Sequence, residues 1–245
     1  MITLRLHSLS LSHPELRMVL IRPGKYGSYT VADTILGEEV FETEKITLKC
    51  TSKNGEVNGR KICLVKPPMW VTGYYLCDTP NLVKDELVLS VAQCPPGPHA
   101  FIIQIEANLP FTNLCRRSVE KHLELLGENV WNHTLVLFTH LDWQDNYTVE
   151  QHIESEGEAL QWLLKKCANR YHVFNSGQND NQVEQLFGKV DEIVTGNSGR
   201  HFEIDSALLS CTEQRRSEME KKAAERRGRV QEEREKPKIQ EGYFS

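Results

Sequence analysis

Short apolar runs alternate along the chain with longer amphipathic stretches. Near-continuous apolar runs, typical of strands buried on both faces of a parallel sheet, occur at Leu16–Ile21, His99–Glu106 and His133–Phe138. The stretches between them repeat apolar residues at helical spacing. Strands that alternate with helices of this length predict an α/β domain, in which a mostly parallel central sheet carries helices on both faces.

Turn signals place further elements between these strands. The strand at Leu16 leads through a glycine-containing loop into a helix that ends near Leu36. Two strand-like runs, Ile46–Thr51 and Gly59–Val65, flank Asn54-Gly55, and we place a hairpin turn at that dipeptide. An apolar pattern over Val83–Ala92 predicts a helix that a proline-rich cluster ends.

Capping signals mark the helices of the second half. Thr112 is suited to cap a helix that runs to Leu126. Thr148 and Gln151 have the spacing of a capping box and predict one long helix to about Cys167. The remaining pattern predicts a short strand and a helix, at Tyr171–Asn175 and Asn181–Val194.

The composition changes after Phe202. From Glu213 to Lys238 the chain is dominated by mixed Glu, Lys and Arg without a sustained heptad, which favours a solvated helix over a coiled coil. We therefore predict three parts: a lead-in of residues 1–15, a central domain of residues 16–202 and a charged helical tail of residues 203–245.

Composition narrows the class of protein. The net charge of -5 over 245 residues speaks against a nucleic-acid-binding protein. No apolar run approaches the ~18 residues of a membrane span, and the first fifteen residues lack the apolar centre of a signal peptide. The seven cysteines include no C-x-x-C pair, which is typical of reduced thiols in the cytoplasm.

The region Leu16–Gly37 has the strand, turn and helix order of a phosphate-binding loop. The pattern G-x-x-x-x-G-K-[S/T] places its diagnostic positions at Arg22, Gly27, Ser28 and Tyr29, so one of the two glycines is kept. In sheets of this kind, ligands bind at the carboxyl ends of the strands, where the polar loops of this chain also lie.

Seven blocks of sequence occur in the order of a known family: TILGEEVF, NGRKICLV, GPHAFII, SVEKHLELLGENVW, VLFTHLDW, VEQHIESEGEALQWL and NRYHVFN. On these blocks the chain resembles a GIMAP-type G domain, of the GTPases of immunity-associated proteins, in the variant found in large fish immune-receptor gene families. The resemblance implies a septin-related, P-loop GTPase-like three-layer fold, binding of GTP or GDP, and dimerisation across the nucleotide site.

The phosphate end departs from the family pattern. The phosphate-binding lysine falls on Ser28 and the magnesium-binding hydroxyl on Tyr29, with Thr30 completing a degenerate loop. The family's D-T-P-G motif falls on the stretch from Lys66 to Met69, so that a lysine replaces the aspartate that holds Mg²⁺ through water. These replacements speak against Mg²⁺ binding.

Two residues near this end have alternative interpretations. Thr47 falls where the family keeps a switch threonine, but without the other ligands we favour its interpretation as an ordinary strand threonine. Asp78, within C-D-T-P-N, would replace the lost aspartate after a local rearrangement. We place the motif at Lys66 because the strand NGRKICLV leads directly into it.

The base end keeps more of the pattern. Thr139, His140 and Asp142 belong to a T-x-x-D motif, and a carboxylate there can accept the ring N1–H and the amino group of guanine. Asn175 would approach the base from the last loop. The alternative is that Asp142 caps the next segment and Asn175 forms an Asx turn.

The expected function follows because the base end keeps more of the family pattern than the phosphate end does. Each lost phosphate-site interaction is worth about 3 kcal/mol in a transition state, so several losses remove many orders of magnitude in rate. We predict a guanine-nucleotide-binding module without efficient hydrolysis that assembles with itself or a protein partner. A scaffold that binds no nucleotide and an active GTPase with a rearranged phosphate site are the alternatives.

Overall fold

The computed structural model describes residues 14–24, 30–37, 47–72, 75–140, 147–174 and 181–235. By its internal contacts the chain divides into two compact units, Met1–Ile204 and Asp205–Ser245. The first unit contains the sheet, and the described residues of the second form one long helix.

The first unit is built on a six-stranded sheet with the order β2-β3-β1-β4-β5-β6. All neighbouring strands are parallel except the antiparallel pair β2 and β3. The α/β class with a mostly parallel sheet is therefore confirmed. The strands are β1 Glu15–Ile21, β2 Thr51–Val57, β3 Arg60–Lys66, β4 Ala100–Glu106, β5 Thr134–Thr139 and β6 Tyr171–Phe174.

The helices fill the connections between these strands, and several of their N-termini are capped as their sequences predict. The Thr112 hydroxyl accepts a hydrogen bond from the Cys115 amide, and Thr148 and Gln151 form a capping box. The helices are α1 Thr30–Leu36, α2 Asn81–Leu89, α3 Asn113–Leu123, α4 Val149–Glu156, α5 Glu158–Lys166, α6 Gln182–Gly196 and α7 Ser206–Glu235.

Both faces of the central strands are buried. On one face, alternate residues such as Leu20, Leu64 and Ile102 form a cluster with apolar residues of α1 and α6. The intervening residues, such as Val19 and Phe101, are equally inaccessible to solvent. This burial explains why the central strands read as continuous apolar runs rather than as alternating patterns.

The hairpin turn lies four residues later than the sequence analysis placed it. Asn54-Gly55 is inside β2, and the turn is at Asn58-Gly59, where both residues have positive φ of 51° and 75°. The chain contains two Asn-Gly dipeptides with equal local signals, and tertiary packing selects the second. Gly55 instead lies against α1, where an added Cβ would be 3.2 Å from a methyl carbon of Leu36.

The long helix expected from Thr148 to Cys167 is interrupted. Gly157 adopts φ of 80° and separates α4 from α5. A residue with left-handed φ breaks the α-helical hydrogen-bond ladder, and glycine adopts that conformation without the steric cost of a Cβ. The periodicity of apolar residues continues across the break, which is why the pattern alone does not show it.

The described part of the second unit is formed by α7, which is exposed along nearly its whole length with Thr212 as its buried residue. Its charged composition accounts for this exposure. None of the helices in the described part of the chain combines the length and apolar character that a membrane crossing needs.

The turn at Asn58-Gly59 gives a test of the hairpin. Gly59→Ala should lower the free energy of unfolding by about 1 kcal/mol, because alanine resists positive φ. Gly188→Ala is the matched control, since Gly188 is helical with open space at its Cβ position, and it should raise stability by about 0.5–1 kcal/mol. Urea unfolding followed by circular dichroism measures both, and equal effects would contradict the assigned turn.

Candidate functional site

The carboxyl ends of the parallel strands meet at one edge of the sheet. β1 lies between β3 and β4, so Arg22, Lys66 and Glu106 are brought to neighbouring strand ends. Thr139 ends β5, the next strand along. Among the residues singled out from sequence, Gly27, Ser28, Tyr29, Asp142 and Asn175 lie outside the described residues. The backbone of Thr30 begins α1.

Lys66 is the last residue of β3 and is almost completely buried, at 2% exposure. Burial lowers its pKa to about 8, with the Arg22 guanidinium acting in the same direction and the Asp33 carboxylate opposing both. At neutral pH the side chain is therefore mostly charged. A buried cation thus occupies the position that the family resemblance assigns to a magnesium-holding carboxylate.

Arg22 forms an ion pair with Glu106, with 2.8 Å between a guanidinium nitrogen and a carboxylate oxygen. The arginine side chain is 3% exposed, so the pair lies largely out of water. The sequence analysis did not single out Glu106. Its signal is a charged residue at the end of a buried apolar strand, where an isolated charge would be costly.

The segment after β3 is joined to the first residues of the loop after β1. Pro23 and Trp70 form an isolated parallel bridge, and the Gly24 amide donates to the Trp70 carbonyl at 3.0 Å. Pro67 and Pro68 precede this contact and are buried without regular structure, as two consecutive prolines predict. The Gly24 amide therefore already has a partner within the protein.

The Trp70 side chain extends this connection to α3. Its ring stacks on the His122 imidazole with 4.3 Å between centroids, and its indole nitrogen donates to the Ser118 hydroxyl. His122 Nδ1 donates to the Ser118 carbonyl, which fixes Nε2 as the acceptor for the Thr79 hydroxyl in the neutral ring. Burial lowers the pKa of His122 to about 4.

The structure also describes three other residues that the sequence analysis considered for the phosphate end. Met69 is half-buried, between the prolines and Trp70. The Thr47 hydroxyl oxygen is buried and has no hydrogen-bond partner among the described residues. Asp78 is twelve residues beyond the end of β3, in an exposed 3₁₀ turn where its carboxylate accepts from the Tyr75 amide.

At the base end, Thr139 is buried and His140 is exposed. His140 has a positive φ of 60°, and its Nδ1 lies 3.1 Å from the Thr139 hydroxyl. Positive φ in a residue other than glycine is a strained conformation that is common in binding loops. The T-x-x-D motif thus starts with a residue of positive φ immediately after β5.

The strand order and the position of the loops define a domain with the P-loop GTPase fold. Toc33 from Arabidopsis thaliana in complex with GDP and Mg²⁺ matches with a TM-score of 0.61 and 14% identity, over 79% of this chain and 89% of that chain. Era in complex with MgGDPNP and a segment of 16S ribosomal RNA matches with a TM-score of 0.50 and 10% identity, over 73% of this chain and 56% of that chain. At such identities the likeness concerns the fold.

The chain belongs to the AIG1 family, whose sequence profile matches residues 16–223. Immune-associated nucleotide-binding protein 5 of Arabidopsis thaliana is 26% identical over 220 residues, which are 86% of this chain and 70% of that protein. GTPase IMAP family member 8 of Mus musculus is 24% identical over 202 residues, which are 76% of this chain but only 27% of that protein.

These matches confirm the GIMAP-type assignment at the level of the family. The fish-receptor variant and the boundary at residue 202 stay predictions. The family match itself extends into α7.

The buried His122 predicts a pH dependence of stability. Its folded pKa lies below the ordinary value of 6.5, so as pH falls through this range the unfolded chain binds a proton that the folded ring resists. Through this residue, a decrease from pH 7 to pH 5 should lower the free energy of unfolding by about 2 kcal/mol.

Urea unfolding of the wild type and of His122→Gln over this pH range measures the effect. In the variant, the free energy of unfolding should change less steeply with pH than in the wild type. It should not become independent of pH, because burial also lowers the pKa values of His133, His152 and His172. Parallel profiles for the two proteins would contradict the assignment.

Proposed function

We propose that the first unit is a guanine-nucleotide-binding G domain that binds GTP or GDP without Mg²⁺, does not hydrolyse GTP efficiently and acts as an assembly module. The observation that carries this proposal is the buried Lys66 at the end of β3. A role in immunity and a cytoplasmic location are further predictions, suggested by the family and the composition.

The described residues at the phosphate end do not fit Mg²⁺. Magnesium prefers oxygen ligands in near-octahedral geometry and is held by carboxylates and phosphates. Here Lys66 stands in the carboxylate position, and Arg22 next to it is a second cation whose Glu106 partner already forms an ion pair. A lysine can instead offset phosphate charge directly through a charge-assisted hydrogen bond. No Mg²⁺-dependent step is therefore derived for this domain.

The residue replacements at the phosphate end should weaken GTP hydrolysis more than nucleotide binding. Phosphoryl transfer depends on positioning and on charge stabilisation by the loop lysine and the metal. The loop lysine falls on Ser28 and the metal-binding hydroxyl on Tyr29. Binding can retain contacts to the base and to loop amides, whereas the transition state loses its largest stabilising interactions.

Base recognition is assigned to the loop after β5. The turn at Thr139 and His140 starts the motif that contains Asp142, and we propose that this carboxylate accepts two hydrogen bonds from guanine. Asn175 would contact the same base from the loop after β6. Adenine would leave the carboxylate unmatched, which is the physical basis for a preference for guanine.

Assembly is proposed through the same edge of the sheet. Leu109, Leu114 and Tyr147 are exposed, and they lie in or near the loops after β4 and β5. A solved structure of chloroplast translocon components reports that dimerisation is important for the GTPase activity of Toc33. We propose that this chain pairs with a second copy or with a protein partner through these side chains.

A scaffold without nucleotide is the second candidate. It is favoured by the internal contacts at the loop, where the Gly24 amide binds the Trp70 carbonyl and Arg22 binds Glu106. An active GTPase that uses Asp78 has less support, because that carboxylate is occupied by the Tyr75 amide in an exposed turn.

Titration of the full chain with fluorescent GDP and GTP tests the proposal. ATP is the control nucleotide, and each titration is made with and without Mg²⁺. We expect saturable guanine binding that does not depend on Mg²⁺. Lys66→Met should weaken it about tenfold or more, because a charge-assisted hydrogen bond is lost. Affinity should also fall as pH rises through about 8, where Lys66 loses its proton.

Matched controls separate the outcomes. Lys189→Met, at an exposed ion pair on α6, should leave affinity unchanged, and Asp142→Ala should abolish the preference for guanine. Absence of binding up to millimolar nucleotide would leave the scaffold as the function. Mg²⁺-dependent binding with turnover would overturn the assignment of Lys66 and favour Asp78.

Sedimentation equilibrium tests the assembly surface. Leu109→Asp should weaken self-association about tenfold or more without loss of stability, since the side chain is 55% exposed in the monomer. Met219→Asp, at an exposed position of α7, is the control and should have no effect. Unchanged association of the Leu109 variant would exclude this edge as the interface.

A further inference from the structure

Trp70 connects the start of the loop after β1 to α3 through two different parts of the residue. Its backbone carbonyl accepts the Gly24 amide at 3.0 Å, within the parallel bridge between Pro23 and Trp70. Proline has no amide hydrogen, so Gly24 supplies the donor of this contact. The indole of the same residue is buried and packs on α3. A displacement of the indole would therefore also move the acceptor of the Gly24 amide.

The part of α3 that receives the indole is itself held in place. The indole lies parallel to the His122 imidazole, with an interplanar angle of 5°, and its nitrogen donates to the Ser118 hydroxyl at 3.1 Å. The imidazole is bound at both nitrogens, since Nδ1 is 2.7 Å from the Ser118 carbonyl oxygen and Nε2 is 2.9 Å from the Thr79 hydroxyl. All these side chains are buried, so water does not compete for the contacts.

The helix α3 is anchored independently of Trp70. Val119 and Leu123 lie on its buried side and are inaccessible to solvent, and the Thr112 hydroxyl caps its N-terminus. Burial of two such apolar side chains contributes more free energy than a single hydrogen bond does. The helix is therefore the fixed part of this arrangement, and the start of the loop after β1 is the part whose position depends on the contact.

We propose that Trp70 is a positioning residue of the proposed phosphate site, which holds the Gly24 amide, and with it the start of the loop after β1, in a fixed place relative to α3. This inference rests on the proposed function. In this role Trp70 acts through Gly24 and not by contact with the nucleotide. Backbone amides bind phosphate well only when they are already arranged around it, because ordering a loop on binding costs conformational entropy.

A positioning role of this kind differs from a general contribution to stability. The loop after β1 is separated by β4 from the loops after β5 and β6, to which recognition of the base is assigned. Loss of the Trp70 side chain should therefore weaken contacts to the phosphates and spare contacts to the base. The ratio of the affinity for GDP to the affinity for guanosine measures the contribution of the phosphates by itself.

Hydrogen exchange of the Gly24 amide, followed by NMR on the full chain without nucleotide, tests the contact directly. In Ser118→Ala the indole loses its acceptor, and exchange should be about threefold faster. Trp70→Phe keeps an aromatic ring against His122 but has no indole donor, so it should resemble Ser118→Ala. Trp70→Ala loses both contacts, and exchange should be about tenfold faster or more. Unchanged exchange in Ser118→Ala and Trp70→Phe would overturn the proposal, even if Trp70→Ala does not fold.

Titration of the same proteins with GDP and with guanosine tests the effect on the site. The ratio of the two affinities should fall about threefold in Ser118→Ala and Trp70→Phe, and about tenfold in Trp70→Ala. The affinity for guanosine should stay the same in all of them. If exchange of the Gly24 amide became faster while the ratio stayed constant, Trp70 would hold the loop without positioning it for phosphate, and the proposal would be wrong.

Trp131→Phe and Trp131→Ala are the matched controls. Trp131 is likewise buried and in ring contact, with Trp162 at 5.8 Å, but it precedes β5 at the amino end of the sheet. These variants should lower the melting temperature and leave both Gly24 exchange and the affinity ratio unchanged. Equal changes in the Trp70 and Trp131 variants would overturn the positioning role. A wild type that binds neither GDP nor guanosine would overturn the proposed function itself, and the role of Trp70 in phosphate binding with it.

Discussion

The parallel register of β1 between β3 and β4 is the constraint on which the candidate site depends. It brings Arg22, Lys66 and Glu106 to the same edge of the sheet, although they are far apart in sequence. Buried apolar side chains on both faces hold this register, because a shift of one residue would move every side chain to the other face. The charges at the edge are therefore placed by the apolar core beneath them.

These charges suggest how a P-loop GTPase fold can change its chemistry without a change of architecture. Lys66 places a positive charge at the position where the family resemblance expects a carboxylate that holds Mg²⁺. Glu106 offsets the charge of Arg22. Burial makes each such exchange consequential, since an uncompensated charge out of water costs several kcal/mol. Binding of an anion and binding of Mg²⁺ thus make opposite demands on this edge, and we propose that this domain meets the demand of the anion.

Local sequence signals were sufficient to predict helices and strands wherever the residues allow one main interpretation. The capping residues Thr112 and Thr148 start helices as expected, and the apolar runs form the central strands. They failed where two interpretations were locally equal. The two Asn-Gly dipeptides are alike as turn formers, but the turn forms at Asn58-Gly59 while Gly55 packs against Leu36. Gly157 breaks a helix whose apolar spacing continues through it.

The sequence by itself determined the α/β class and the family and predicted the departures at Ser28, Tyr29 and Lys66, because these follow from residue types and their order along the chain. Tertiary structure decided which distant residues meet: Glu106 with Arg22, and Trp70 with His122. Such contacts depend on strand order and register, which are set by long-range packing. No local pattern contains that information.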